Sequence, residues 1–170
     1  MFPSPDGFLC QTTFPALKYI EIQDKPLKQA HNIWKSITHN TQDVKAGEIK
    51  VRISTQTYVL QDKRAKFDPS VSSVCKLCKL ADEDMEHFLL ICPNYNLIRI
   101  KHLNKIRDCL NSTEKNKYED IVNEGKLLQL LMDCTSKKLI CNPRCHTRIE
   151  RISRDLCYEL HKERNKQLEL

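Results

Sequence analysis

"CKLCKLADEDMEHFLLIC", residues 75–92, sets the reading of this chain. Its potential ligands are spaced Cys75-x2-Cys78-x8-His87-x4-Cys92. Three thiolates and one imidazole complete a tetrahedral set for Zn²⁺. A C-x2-C turn points both sulfurs inward from one tight knuckle. "ADEDMEHFLLIC" reads as a short helix, with Asp82 or Asp84 to cap it and an acidic first turn that suits the helix dipole. At 100° per residue, Cys92 lies about 140° round from His87 on a continuing α-helix. Pro93 disfavours the α conformation at Cys92, so the helix is expected to stop there and free the sulfur to return to the metal. All four positions are filled by protein, whereas a hydrolytic zinc keeps one open for water. The expectation is a single structural zinc held by Cys75, Cys78, His87 and Cys92. The competing reading is three buried cysteines and a satisfied histidine.

The flanks read as helical. Pro26 suits a first turn, and Leu27, Ala30, Ile33, Trp34 and Ile37 fall on one face. A second segment over about 43–57, with Thr41 or Asp43 as N-cap, is read as helix, although Val51 and Ile53 would also suit a strand. After Pro93, one stripe comprises Tyr95, Ile98, His102, Leu103, Ile106 and Leu110. A second runs Tyr118, Ile121, Val122, Gly125, Leu128 and Met132, widened by Leu127, Leu130 and Leu131. "CTSKKLICNPRCH" reads as a loop. The last helix carries Ile149, Ile152, Leu156, Leu160 and Leu168, with Arg148, Arg151, Arg154, Lys162, Arg164 and Lys166 on its other face. The fold class is thus mainly α, a small helical domain with one CCHC zinc knuckle. Its parts are an irregular lead-in over 1–25, basic helices over 26–74, the knuckle and short helix over 75–95, and C-terminal helices over 96–170.

Composition narrows the function. The 170 residues suit one domain, and 40% hydrophobic residues with 6% aromatics imply an aliphatic core. Three glycines are few for a fold of many tight β-turns. Nine cysteines without a secretory signal point to an intracellular chain, nuclear or cytoplasmic, with reduced thiols that favour metal binding over disulfides. No run reaches the roughly 18 apolar residues of a membrane span. The net charge of +6 is uneven. Nine Lys/Arg face three Asp/Glu over 25–66, and nine face four over 137–166. Two basic segments around a neutral middle suit a polyanion such as RNA or DNA, with solvated helix faces as the plainer alternative. The contact candidates are Lys45, Lys50, Arg52, Lys63, Arg64 and Lys66, and on the far side Arg148, Arg151 and Arg154.

Catalytic patterns are missing. There is no Gly-rich phosphate loop and no adjacent Asp-Asp pair, and no local signature selects a Cys–His nucleophile pair. Asp82, Glu83, Asp84 and Glu86 read as an exposed helix start. Cys134, Cys141, Cys145 and His146 form a looser set whose spacings contain no tight knuckle, and whether they hold a second metal stays open.

"AGEIKVRISTQTYVLQDKRAKFDPSVSSVCKLCKLADEDMEHFLLICPNYNLIR", with Tyr58-Val59-Leu60-Gln61, Arg64, Phe67, the knuckle, "EHFLLICPNY" and Arg99, resembles the zinc-binding segment that follows the reverse transcriptase domain of non-LTR retrotransposon polyproteins. The tail from "DCTSKKL" onward is similar to the C-terminal helix of such polyproteins. The likeness covers roughly 26–168 and is most specific over 49–99. It implies a zinc-stabilised nucleic-acid-binding module, the C-terminal fragment of a retrotransposon reverse transcriptase, which helps hold template RNA or target DNA. It places the metal ligands at the four positions named above. Polymerase and endonuclease motifs are not found, so no catalytic residue carries over and the fragment is expected to be non-catalytic on its own. The alternative is a protein-interaction module docking to an acidic partner or to the polymerase body.

Overall fold

A computed structural model describes residues 30–135, 139–140 and 142–169. The helices are α1 (Asn32–Lys35), α2 (Thr41–Ser54), α3 (Gln61–Phe67), α4 (Asn96–Asn111), α5 (Lys117–Asn123), α6 (Leu127–Met132) and α7 (Pro143–Gln167). The described residues contain no strand, only an isolated antiparallel bridge between Val74 and Asp82. The mainly helical fold class is therefore as read from the sequence. No described helix is long and apolar enough to cross a membrane.

The 25-residue α7 is the spine, and α1, α2, α4 and α6 all pack on it. It starts inside the expected loop. Pro143 takes its first turn, where a missing N–H costs nothing, and Asn142 Oδ1 accepts the Arg144 N–H at 3.0 Å. Cys145, Ile149, Ser153, Leu156, Leu160 and Arg164 recur at steps of three and four, and all are buried. The apolar stripe expected after Pro93 is likewise found on and just before α4, with Tyr95, His102, Ile106 and Leu110 buried.

Three further expectations change. The helix over 118–132 is two helices, because Gly125 adopts φ +66°. Its N–H donates to Val122 O at 3.0 Å and the Lys126 N–H to Ile121 O at 2.9 Å, the paired bonds of a Schellman stop. Gly125→Ala is expected to cost about 1–2 kcal/mol from the left-handed backbone alone, while Glu124→Ala, at φ −80°, is not; thermal denaturation of the two variants checks this. The second helix is capped by Asn40, whose Oδ1 accepts the Gln42 N–H at 2.8 Å, rather than by Thr41 or Asp43. Asp43 instead accepts the Thr38 N–H and hydroxyl and pairs with Arg154. Lastly, the described part of the first helix is one turn, on which Trp34 is 51% exposed instead of facing the core. Leu27 and the rest of the lead-in lie outside the described residues.

Candidate metal centre

The knuckle is built by local hydrogen bonds. The Cys75 N–H donates to Ala81 O and the Lys79 N–H to Cys75 O, both at 2.9 Å. Lys79 turns the chain at φ +59°, and the Glu83 N–H donates to Ser73 O at 2.9 Å. Asp84, one of the two expected caps, accepts the His87 N–H on Oδ1 at 2.7 Å.

The segment His87–Ile91 then winds as a π turn. The Cys92 N–H donates to His87 O at 2.7 Å. This i→i+5 bond places residue 92 one wide turn beyond residue 87, rather than 140° round an α-helix. At Cys92 the backbone turns extended, at φ −53° and ψ 120°, as the following proline requires. The x4 spacing is thus accommodated by a widened turn and a forced stop together, of which the sequence showed the stop.

The result brings all four expected residues together. One ligand atom from each of Cys75, Cys78, His87 and Cys92 lies within 4.8 Å of every other. A tetrahedral ion with metal–sulfur bonds of about 2.3 Å needs sulfurs about 3.8 Å apart, so the set fits a metal with small adjustment. His87 Nε2 is 3.2 Å from Cys78 Sγ, whereas Nδ1 is buried with no hydrogen-bond partner. Burial, eased by the Asn94 N–H, and the neighbouring Cys75 and Cys78 sulfurs push the Cys92 thiol up to about 12. Burial would also raise Cys78, but the Leu80 N–H and the adjacent thiols hold it below the ordinary thiol value. Three sulfurs crowded together, with the buried Cys92 thiol held in its protonated form, are a site where a bound cation would favour the thiolates. Among the described residues no other Cys, His, Asp and Glu cluster of this kind occurs.

Two buried arginines hold the knuckle to the body. Arg99 on α4 donates from Nε to Leu89 O and from Nη2 to Cys92 O, each at 2.9 Å. Those carbonyls sit where the π turn ends, so Arg99 fixes the direction in which Cys92 leaves the helix. Arg164 on α7 makes a fork to Glu83, Nε to Oε1 and Nη2 to Oε2, both at 2.8 Å. Phe88 and Leu89 are fully buried, and the Phe88 ring stacks on Tyr58 and meets Tyr95 edge-on. Burying each of these apolar side chains contributes about 1.5–3 kcal/mol.

Several basic and acidic residues are not where the sequence suggested. Lys50 is no surface cation: it is buried, donates to Leu131 O and Ser153 Oγ, and lies 3.9 Å from Glu150. Arg154 is buried as well, donating to Ser36 Oγ at 2.6 Å and pairing with Asp43 at 2.7 Å. Both are removed from the phosphate-contact set, because each is committed to internal partners. Glu83 and Arg164, expected on exposed faces, are instead buried together. The signal was present: Lys50 follows Ala46 by four, and Arg164 follows Leu160 by four, so each continues an inward stripe. Lys45, Arg52, Arg64, Lys66, Arg148 and Arg151 are exposed, and Lys63 is half-buried. Of these, Arg52 leans on Glu48 at 3.6 Å and Lys66 pairs with Asp62 at 2.9 Å. In the looser cysteine set, Cys141 lies outside the described residues. Cys134 and Cys145 are buried, and His146 Nε2 lies 2.8 Å from Ile140 O.

No protein-family model matches the chain, and neither does any curated protein or solved structure.

Proposed function

We propose that the chain is a zinc-stabilised, non-catalytic nucleic-acid-binding module. Zinc is the metal of choice for a closed set of three thiolates and one imidazole, since soft sulfur ligands in a tetrahedron favour it over harder ions. Bound zinc would supply shape, holding the knuckle against α7. The observation that carries the binding reading is on α3. Lys63 and Arg64 project from it with no ion-pair or hydrogen-bond partner for either side chain among the described residues, beside the exposed ammonium of Lys66. Arg148 and Arg151 are exposed on α7, and Lys45 on α2. Such residues contact phosphates and give affinity without reading sequence. The resemblance to the zinc-binding segment of retrotransposon reverse transcriptases supports the same reading and suggests RNA or target DNA as the polyanion.

Binding to RNA and DNA should fall with salt by about 0.7 log units per log unit of salt for each phosphate contact on a single strand, or 0.9 on a duplex. Charge reversal at Arg64 and Lys66 should weaken binding and flatten that slope. Absence of binding at low salt, or binding that ignores salt, would refute the reading. A second reading, a module that docks to a protein such as the polymerase body, is favoured by one observation: Leu97 and Ile100, one turn apart on α4, are 86% and 56% exposed. Retention of nucleic acid unchanged by the α3 reversals would turn the assignment that way.

A further inference from the structure

Phe67, the last residue of α3, is the most exposed large hydrophobic residue described, at 88%. It lines a shallow depression of about 520 Å³ whose other apolar members are Val59 and Val71. Lys63 and Arg64 line the same depression. Its carboxylate, Asp68, accepts from the Ser70 hydroxyl at 2.7 Å and the Ser70 N–H at 3.0 Å, so it is turned to its own turn. A second depression shares Thr57 and Val59 with the first and continues to Arg52, His161 and Asn165. Burial, with Arg164 and Arg52 nearby, holds the His161 imidazole below its ordinary pKa.

The surface therefore joins a free aromatic plane and an apolar floor to a line of cations. A lone apolar partner would leave Lys63 and Arg64 unmatched, and a simple anion would leave Phe67 and Val59 in water. A nucleotide has both a flat apolar base and a phosphate. In a duplex the base faces are covered by neighbouring pairs, and uncovering one costs unstacking energy. An unpaired base offers its face freely, and aromatic side chains on a basic groove take such bases without sequence preference.

We infer that Phe67 is a stacking platform for an unpaired base of single-stranded nucleic acid, with the adjoining phosphates running along Lys63, Arg64 and Arg52. This rests on the nucleic-acid reading and narrows it to single strands.

The test uses the full chain loaded with zinc, a short oligo-U or oligo-dT strand, the same strand with one 2-aminopurine, and a blunt duplex of equal length. Phe67→Ala should weaken single-strand binding roughly 5- to 150-fold, the loss expected for one base–aromatic stack. It should leave the salt slope and duplex binding unchanged and reduce the 2-aminopurine quench. Phe67→Trp should retain binding. Lys63→Gln with Arg64→Gln should instead weaken both substrates and flatten the slope. Phe67 is exposed, so metal content and helicity should be unaffected in its variants. If Phe67→Ala binds the single strand as tightly as the parent while the Lys63/Arg64 variant does not, the stacking platform is overturned and the phosphate reading survives. If the parent binds neither substrate at low salt, both fall. If Phe67→Ala abolishes a self-association seen by sedimentation and leaves strand affinity intact, the shelf belongs to a second copy and the inference is wrong.

Discussion

Chelating the metal, or replacing Cys78 with serine, is expected to abolish cooperative folding of the region from the knuckle to the start of α4. Structural zinc contributes about 10–16 kcal/mol of apparent binding free energy in small fingers, against a typical domain stability of about 5–15 kcal/mol. The loss should spread beyond the ligands. Phe88 and Leu89 enter the core directly from the turn that begins at His87, and Phe88 orders the rings of Tyr58 and Tyr95 around it. Near-ultraviolet circular dichroism should therefore lose its tyrosine signal together with the cooperative thermal transition, while the α2–α7 pairing keeps part of the far-ultraviolet helical signal. Unchanged cooperativity after full metal removal would show that the cluster is not structural.

The second large effect is expected at a pair that carries no chemistry. Arg164→Ala should cost about 3–5 kcal/mol, because it strands a buried carboxylate. Glu83 has nowhere to turn: its Oε2 also accepts the Gln61 N–H at 2.9 Å, and both partners are nearly inaccessible to water. Arg164→Lys should recover only part of the loss, since a point ammonium cannot reproduce the two-bond fork. The double variant Glu83→Gln/Arg164→Met should be far less damaged than the sum of its singles, because neither charge is left unpaired. Urea denaturation of the metal-loaded proteins measures all three. Losses that simply add would show that the two residues act independently and that the knuckle is not anchored to α7 through them.

Much of this was legible in the chain. The four clustered residues could be named because each is a rare residue type at a spacing with one good chemical use. The stripes on α4 and α7 could be read because an apolar face repeats every three to four residues. The stop at Cys92 followed from the proline after it. What failed were statements about charged residues and about chain breaks. Lys50, Arg154 and Arg164 were placed outside on their charge, although each lies on or beside an inward stripe, and a charge is buried when a partner from a distant segment meets it. Those partners, Glu150, Asp43 and Glu83, are far away in sequence. Gly125 fits a helical face by spacing, and only its left-handed backbone marks it as a stop.

The sequence by itself determined the helical class, which four residues cluster as a set that could hold a metal, and the end of the turn that carries His87, because these depend on local backbone preference and donor chemistry. The tertiary structure decided which cations face solvent, how the His87–Cys92 turn widens to bring its sulfur home, and that Glu83 and Arg164 clamp the knuckle to α7. Those outcomes depend on which distant groups are brought within hydrogen-bond reach, and no local pattern encodes that distance.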